Sequence, residues 1–282
     1  MFRTRSSEKE LKMIWEVKKG DKTSFLVGTA HFFPYSFRTS LSRYMKDATT
    51  ILFEGPLDEN NMARVAETGR AKENTPHFFT HLDKQTIASI SNALAFPRRD
   101  WVPFLSFNPR KPTAEDPVYA MVKGMKPWMA FFTIWTTCLE QKGWRDSVDM
   151  EGYRIAREMG KNVVFLETIE EQIEVLESLS LERIIGFLAQ ADQWDAYAQK
   201  YVKYYLKGDL EKLKSLSRGF ATRSISVIDR RDRILYERML VYLEKGNAVV
   251  FVGAPHIGGI TDMLRESSYQ IVGCGKSVSA EP

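Results

Sequence analysis

Four short apolar runs, far apart along the chain, restrict this sequence to folds built around a buried sheet. Strands buried on both faces are continuous apolar runs of this kind, rich in β-branched residues. Stretches with helical periodicity separate them, and this alternation predicts an α/β (or α+β) fold with a central mixed β-sheet and flanking helices. The runs cover residues 25–27, 51–53, 163–166 and 249–252.

The chain is predicted to be one domain, residues 1–282, with a large helical insertion. Gly20-Asp21 separates two short apolar segments near the start and predicts a β-hairpin. Residues 58–150 show a mostly helical pattern interrupted by prolines at 97, 103, 109, 112 and 117. We expect this segment to be inserted into a core lobe formed by about residues 12–57 and 160–275.

Composition is typical of a globular protein and excludes several classes. Apolar residues make up 44% and charged residues 27%, which excludes collagen-like and disordered chains. The net charge of +4 is weak for 282 residues, so no nucleic-acid partner is expected. Two distant cysteines, Cys138 and Cys274, are expected to be unpaired thiols.

No membrane-spanning segment is predicted. The longest apolar stretch, residues 128–139, is too short to cross a bilayer and predicts a buried helix. The N-terminus lacks the apolar region of a signal peptide. As the sequence stands we expect a cytoplasmic protein, the alternative being that an export signal was processed or truncated.

Each apolar run leads into a side chain that can bind a metal or carry a proton. These side chains are His31, Glu54, Glu167 and His256. Ligands of α/β folds bind at the carboxyl ends of the strands, so these residues are expected to converge there.

The two histidines share a Gly-x-x-His pattern after an apolar run, at Gly28–His31 and Gly253–His256. Glycine is expected to let the chain turn sharply so that the histidine faces the crevice. Two imidazoles and a carboxylate suit a divalent transition metal such as Zn, Mn or Co. Such a metal lowers the pKa of bound water and supports amide or ester hydrolysis.

Six sequence blocks, taken in order, resemble one known family. The blocks are GTAH, ILFEGPLD, VDMEGYRIAREMGKNVVFLETIEEQIEVL, YYLKGDLEKL, DRRDRILYERM and VGAPHIGG. They resemble the TraB/PrgY/GumN family, which includes the Tiki metalloproteases, and are most similar to its bacterial GumN-like branch. The resemblance extends over about residues 13–273. It implies a fold like that of EreA, ChaN and Tiki, and a metal-dependent peptidase.

The resemblance also implies residue roles. His31 and His256 would bind the metal, and Glu54 would be a third ligand or a general base. Glu167 would support the site from nearby, and Arg231 would clamp an oxyanion or a carboxylate. The alternatives are that Glu54 and Glu167 cap strands or pair with Arg231, and that Arg231 lies on a solvated helix face.

Two departures from the family pattern affect the predicted site. Asp232 follows Arg231 where many relatives have asparagine, and a carboxylate facing the site would hold a metal more tightly. Gly55-Pro56 follows Glu54 where many relatives have a shorter acidic motif, which shifts the loop. A further pair, His77 and His81, has i, i+4 spacing, but a surface or lobe-interface pair is favoured over a second metal site.

The sequence thus predicts a metal-dependent hydrolase, a peptidase acting on a peptide or protein substrate. The alternative is a non-catalytic protein that binds or sequesters peptides, as in the pheromone-shutdown branch. A membrane-associated scaffold is disfavoured because no spanning segment is predicted.

Overall fold

A computed structural model of the chain describes residues 7–73, 75, 77–94, 117–222 and 225–274. Within them, six strands form one mixed sheet, which confirms the predicted α/β class. The strands are β1 (Ile14–Lys19), β2 (Lys22–Thr29), β3 (Thr50–Phe53), β4 (Asn162–Phe165), β5 (Ala248–Gly253) and β6 (Gln270–Gly273).

The strand order in the sheet is β4-β3-β5-β2-β1-β6. Strands β4, β3, β5 and β2 are parallel, so their carboxyl ends share one edge. Strands β1 and β2 form the predicted hairpin, and Gly20 in its turn has a φ of +60°. Strand β6 pairs antiparallel with β1. It was not predicted, because a four-residue edge strand with alternating exposure has no continuous apolar run.

The helices cover the sheet on both faces, and the buried helix predicted at residues 128–139 is present. The described residues form α1 (Arg38–Met45), α2 (Glu59–Thr68), α3 (Lys84–Ala93), α4 (Pro117–Val122), α5 (Pro127–Gln141), α6 (Val148–Glu158), α7 (Ile169–Glu177), α8 (Leu181–Leu188), α9 (Trp194–Lys207), α10 (Leu210–Ser217), α11 (Ile225–Leu243) and α12 (Ile257–Glu266).

Two apolar cores lie on opposite faces of the sheet. Successive side chains of a strand point to opposite faces. Val249 and Phe251 of β5 accordingly belong to the larger core, and Val250 and Val252 to the smaller one. Helices α1, α5, α6 and α9 contribute to the larger core, while α11 and α12 cover the smaller one. Burial on both faces is why these strands are continuous apolar runs.

The predicted lobe boundaries stay a prediction. Helix α6 begins at Val148, inside the predicted insertion, and packs against β3, β4 and β5. Helix α8, outside the predicted insertion, packs against α5. The prolines at 97, 103, 109 and 112 lie outside the described residues.

Two smaller predictions can be compared with the structure. Cys138 and Cys274 are both free thiols, as expected. None of the helices in the described part of the chain has the length and apolar character needed to cross a membrane.

Candidate functional site

The sheet brings together residues that are distant in sequence. His31 lies two residues beyond β2, Glu54 directly follows β3, Glu167 lies two residues beyond β4, and His256 lies three beyond β5. Because these four strands are parallel neighbours, all four residues lie at one sheet edge. A cavity of about 490 Å³ opens there, and His31, Glu54, Arg231 and His256 line it.

Arg231, on α11, connects the ends of β3 and β4. Its Nη2 lies 2.5 Å from Oε1 of Glu54 and 2.6 Å from Oε2 of Glu167, and its Nε donates to Oε1 of Glu167 at 2.8 Å. The side chains of Arg231, Glu54 and Glu167 are only 16%, 14% and 3% exposed. The alternative that Arg231 lies on a solvated helix face is therefore wrong. The other alternative, that both glutamates pair with Arg231, agrees with the structure.

Glu54 is held as an anion. Burial favours the neutral carboxyl, but the Arg231 cation, the neighbouring imidazoles of His256 and His31 and the Gly253 amide outweigh burial, so its pKa lies well below the ordinary 4.5. The Gly253 N–H donates to its Oε2 at 2.6 Å, so both carboxylate oxygens have donors. A carboxylate in this environment is a weak base. The arrangement therefore favours an anchoring or ligand role for Glu54 over the predicted role as general base.

His256 is paired with the aspartate next to Arg231. Its Nδ1 donates to Oδ1 of Asp232 at 2.5 Å, and both side chains are buried. Nε2 is then the acceptor nitrogen, and Nη1 of Arg231 donates to it at 3.3 Å. Asp232 thus contacts the Nδ1 side of His256, so its charge orients and supports the imidazole. A Cβ on Gly259 would come within 2.0 Å of Asp232, so glycine there makes room for this carboxylate.

His31 has the same kind of partner. Its Nδ1 donates to Oδ2 of Asp149, and Ser147 donates to the other oxygen of that carboxylate. Burial raises the pKa of Asp149, but His31 and Ser147 lower it more, so the group is held as an anion. Unlike His256, the His31 side chain is 65% exposed.

Sequence reasoning missed the role of Asp149. It lies in the first turn of α6, two residues after the N-cap Ser147, where an acid is favoured by the helix dipole alone. No local sequence pattern could have predicted that Asp149 contacts His31, because the two residues are 118 positions apart.

The turn explanation for the two Gly-x-x-His glycines is wrong. Gly28 lies within β2, and neither Gly28 nor Gly253 has a positive φ. The reason is close approach: a Cβ on Gly253 would lie 3.2 Å from Oε2 of Glu54, and one on Gly28 would lie 3.1 Å from Cγ1 of Ile257. Both glycines are places where another residue lies against the backbone.

Gly55, part of the departure from the family pattern, has a similar explanation. A Cβ at this position would lie 2.0 Å from Nε2 of Gln172, the residue that closes the LETIEEQ block. Both residues line the cavity. The loop after Glu54 is therefore shaped around the Gln172 amide.

The chemistry of the donors suits a divalent metal, but the observed contacts compete with one. Metal-ligating histidines commonly donate their second N–H to a carboxylate, as His31 and His256 do. However, no group of three or more His, Cys, Asp or Glu in the described part of the chain is arranged to hold a metal. Arg231 contacts both Nε2 of His256 and Oε1 of Glu54, so a metal bound by these atoms requires Arg231 to release them.

The pair His77 and His81 has a structural explanation. His77 accepts a hydrogen bond from Phe79 N at the start of a 3₁₀ turn, and its ring stacks on Tyr119 at 3.8 Å. His81 is exposed. Neither joins the sheet-edge cavity, in line with the favoured reading of a surface or interface pair.

Comparison with known proteins assigns the chain to a family. The sequence model of the TraB/PrgY/gumN family matches residues 13–272, nearly the whole chain. No curated protein and no solved structure matches the chain. Together with the α/β fold and the two Gly-x-x-His segments at one sheet edge, the match shows that this chain belongs to the TraB/PrgY/gumN family.

Proposed function

We propose that this protein is a metal-dependent hydrolase that cleaves a peptide bond at the sheet-edge cavity. The observation that carries the proposal is the pair of imidazoles, His31 and His256. Each follows a parallel strand, and each is oriented by a buried aspartate. Such pairing fixes the tautomer and raises the ligand basicity of a metal-binding histidine. A bound Mn, Co or Zn ion would polarise a carbonyl and lower the pKa of water.

Each surrounding residue has a distinct task in this proposal. Glu54 would be the third ligand, since its depressed pKa makes it a weak proton acceptor. Arg231 supplies donors for a developing oxyanion once it has moved from His256 Nε2. Glu167 holds Arg231 through two hydrogen bonds and is a positioning residue. Asp149 and Asp232 are positioning residues for the two histidines.

A second candidate is a non-catalytic protein that binds peptides in the same cavity. The observation that favours it is the position of Arg231, whose guanidinium contacts two of the three proposed ligands. In that case the cavity would bind a peptide while Arg231 stays in place, and no metal would be needed.

Metal content tests the proposal directly. The chain is purified without a histidine tag or chelator, offered Mn, Co and Zn in parallel, and analysed by mass spectrometry. We expect near-stoichiometric metal in the wild type and none in the double variant His31→Ala, His256→Ala. The control is His81→Ala, an exposed histidine away from the cavity, which should retain the metal. Equal metal in all three proteins, or none in the wild type, would contradict the proposal.

Turnover separates the two candidates once a metal has been found. The metal-loaded wild type is incubated with a mixture of short peptides, and the products are identified by mass. Cleavage that is lost in the double histidine variant supports the hydrolase. Peptide binding without cleavage supports the second candidate.

A further inference from the structure

Beyond its charged residues, the sheet-edge cavity is walled by aromatic rings. Trp135 of α5, Tyr197 of α9 and Phe220 line it together. The ring centroids of Trp135 lie 5.9 Å from Tyr197 and 6.0 Å from Phe220, in T-shaped arrangements. Tyr197 and Phe220 are stacked at 6.4 Å. Three separate segments thus form one aromatic wall, defined here as Trp135, Tyr197 and Phe220.

A row of stacked tyrosines connects the aromatic wall with the end of β2 that leads to His31. Tyr201 lies 6.4 Å from Tyr197 and 6.3 Å from Tyr205, both as stacked rings. The hydroxyl of Tyr205, which is fully buried, donates to the carbonyl of Gly28 at 2.5 Å. Gly28 begins the segment that ends at His31. The wall is therefore held in place relative to the proposed reacting centre.

Charge is confined to one part of the cavity. Among the lining residues that the structure describes, the acidic, basic and imidazole side chains are His31, Glu54, Asp149, Arg231 and His256, all of which belong to the candidate site. A carboxylate placed against the aromatic wall would lose its water without a cation beside the wall to compensate, which is strongly unfavourable. The volume of about 490 Å³ falls in the range of pockets that enclose small ligands, so a few residues of a peptide fit.

We propose that the aromatic wall is a specificity subsite for an aromatic side chain next to the peptide bond that is cleaved. This inference rests on the proposed function, because it places the reacting bond beside His31 and His256. Aromatic rings gain from edge-to-face contacts beyond the area they bury, so phenylalanine is preferred over an aliphatic side chain of similar volume.

Equilibrium binding tests the subsite without requiring turnover. The ligands are acetylated and amidated tripeptides with phenylalanine, leucine, alanine or glutamate at the centre. Binding is followed by tryptophan fluorescence excited at wavelengths that phenylalanine does not absorb, since Trp128, Trp135 and Trp144 line the cavity. We expect the phenylalanine peptide to bind at least about tenfold more tightly than the alanine and glutamate peptides, and more tightly than the leucine peptide.

A matched pair of variants locates the preference. Thr136 of α5 lines the cavity and is half-buried, and its hydroxyl donates to the Phe132 carbonyl in its own helix. Thr136→Phe should fill the subsite and abolish the preference, whereas Thr136→Val keeps the shape and should retain it. Phe220→Leu is a second variant, which should reduce the phenylalanine-over-leucine ratio even if Thr136→Phe does not fold.

The outcomes separate this inference from the proposed function. The peptides are recovered and their masses measured, so cleavage and binding are recorded independently. A phenylalanine preference without cleavage or metal supports the subsite and contradicts the hydrolase. Equal binding of all four peptides, no binding of the phenylalanine peptide, or an unchanged preference in Thr136→Phe overturns the subsite, whether or not cleavage occurs.

Discussion

Arg231 is the residue on which the sheet-edge site depends most. One guanidinium contacts Glu54, Glu167 and His256, which follow three different strands. Burial lowers the pKa of Arg231, but the two glutamates outweigh burial and raise it above its ordinary value. The cation is thus fully charged in a mostly dry environment, where its partners cannot easily be replaced by water.

Replacing Arg231 by glutamine should destabilise the fold strongly. Removing one partner of a buried ion pair typically costs about 3–5 kcal/mol, because the remaining charge is left uncompensated. Urea unfolding of Arg231→Gln should show a loss of this order. The neighbouring Arg230 is exposed, and Arg230→Gln should change the free energy of unfolding by less than about 0.5 kcal/mol. Similar losses in the two variants would contradict the role given to Arg231.

At the scale of elements, helix α6 positions Asp149 through its close packing on the sheet. Ser147 caps its first turn by accepting from the Met150 N–H at 3.3 Å. One turn later, Gly152 faces Phe251 of β5, and a Cβ at this position would lie 2.5 Å from that ring. Glycine is therefore needed for α6 to approach β5 closely enough for Asp149 to reach His31.

The same substitution at two helical glycines should have opposite effects. Gly152→Ala forces a Cβ against Phe251, and overpacking of a core typically costs about 1–3 kcal/mol. Gly186 lies in α8 with nothing within 4 Å of a built Cβ, so Gly186→Ala should stabilise by roughly 0.5–1 kcal/mol through helix propensity. Thermal unfolding of the two variants checks this. Stabilisation by Gly152→Ala would show that α6 can move away from β5 without cost.

For the whole molecule, the fold gathers buried anions at one edge of the sheet. Glu54 and Asp149 both have a pKa below its ordinary value, because the compensating effects of Arg231 and the histidines exceed the effect of burial. In the unfolded chain these carboxyls regain ordinary pKa values of 4.5 and 3.8. Protonation therefore favours the unfolded state.

Stability should accordingly fall in acid. The contribution of Glu54 is complete above about pH 4.5 and is lost as the pH falls from there toward the lower pKa of the folded state. Thermal midpoints measured from pH 7 to pH 3 should decline most below about pH 4.5. Glu54→Gln should be less stable at pH 7 and decline less steeply. Glu140→Gln, at an exposed position, should follow the wild type. Parallel curves for Glu54→Gln and the wild type would show that Glu54 does not carry this dependence.

The sequence by itself determined the four parallel strands, the residues that follow them and the family, but not the edge strand β6. Apolar runs such as residues 249–252 specify buried strands locally, because a strand covered on both faces needs a continuous run. The hairpin at Gly20 is equally local. The Gly-x-x-His segments ending in His31 and His256 follow these runs directly, so they could be predicted without knowing the strand order.

Only the tertiary structure decided how these residues contact one another. Arg231 and Glu54 are 177 residues apart, and His31 and Asp149 are 118 residues apart. Pairings at such separations follow from the order of parallel strands and from the packing of α6 and α11 on them, which no local pattern encodes. The same long-range packing acts at Gly28 and Gly253, because the neighbours that would crowd a Cβ at these positions are brought there by other parts of the chain.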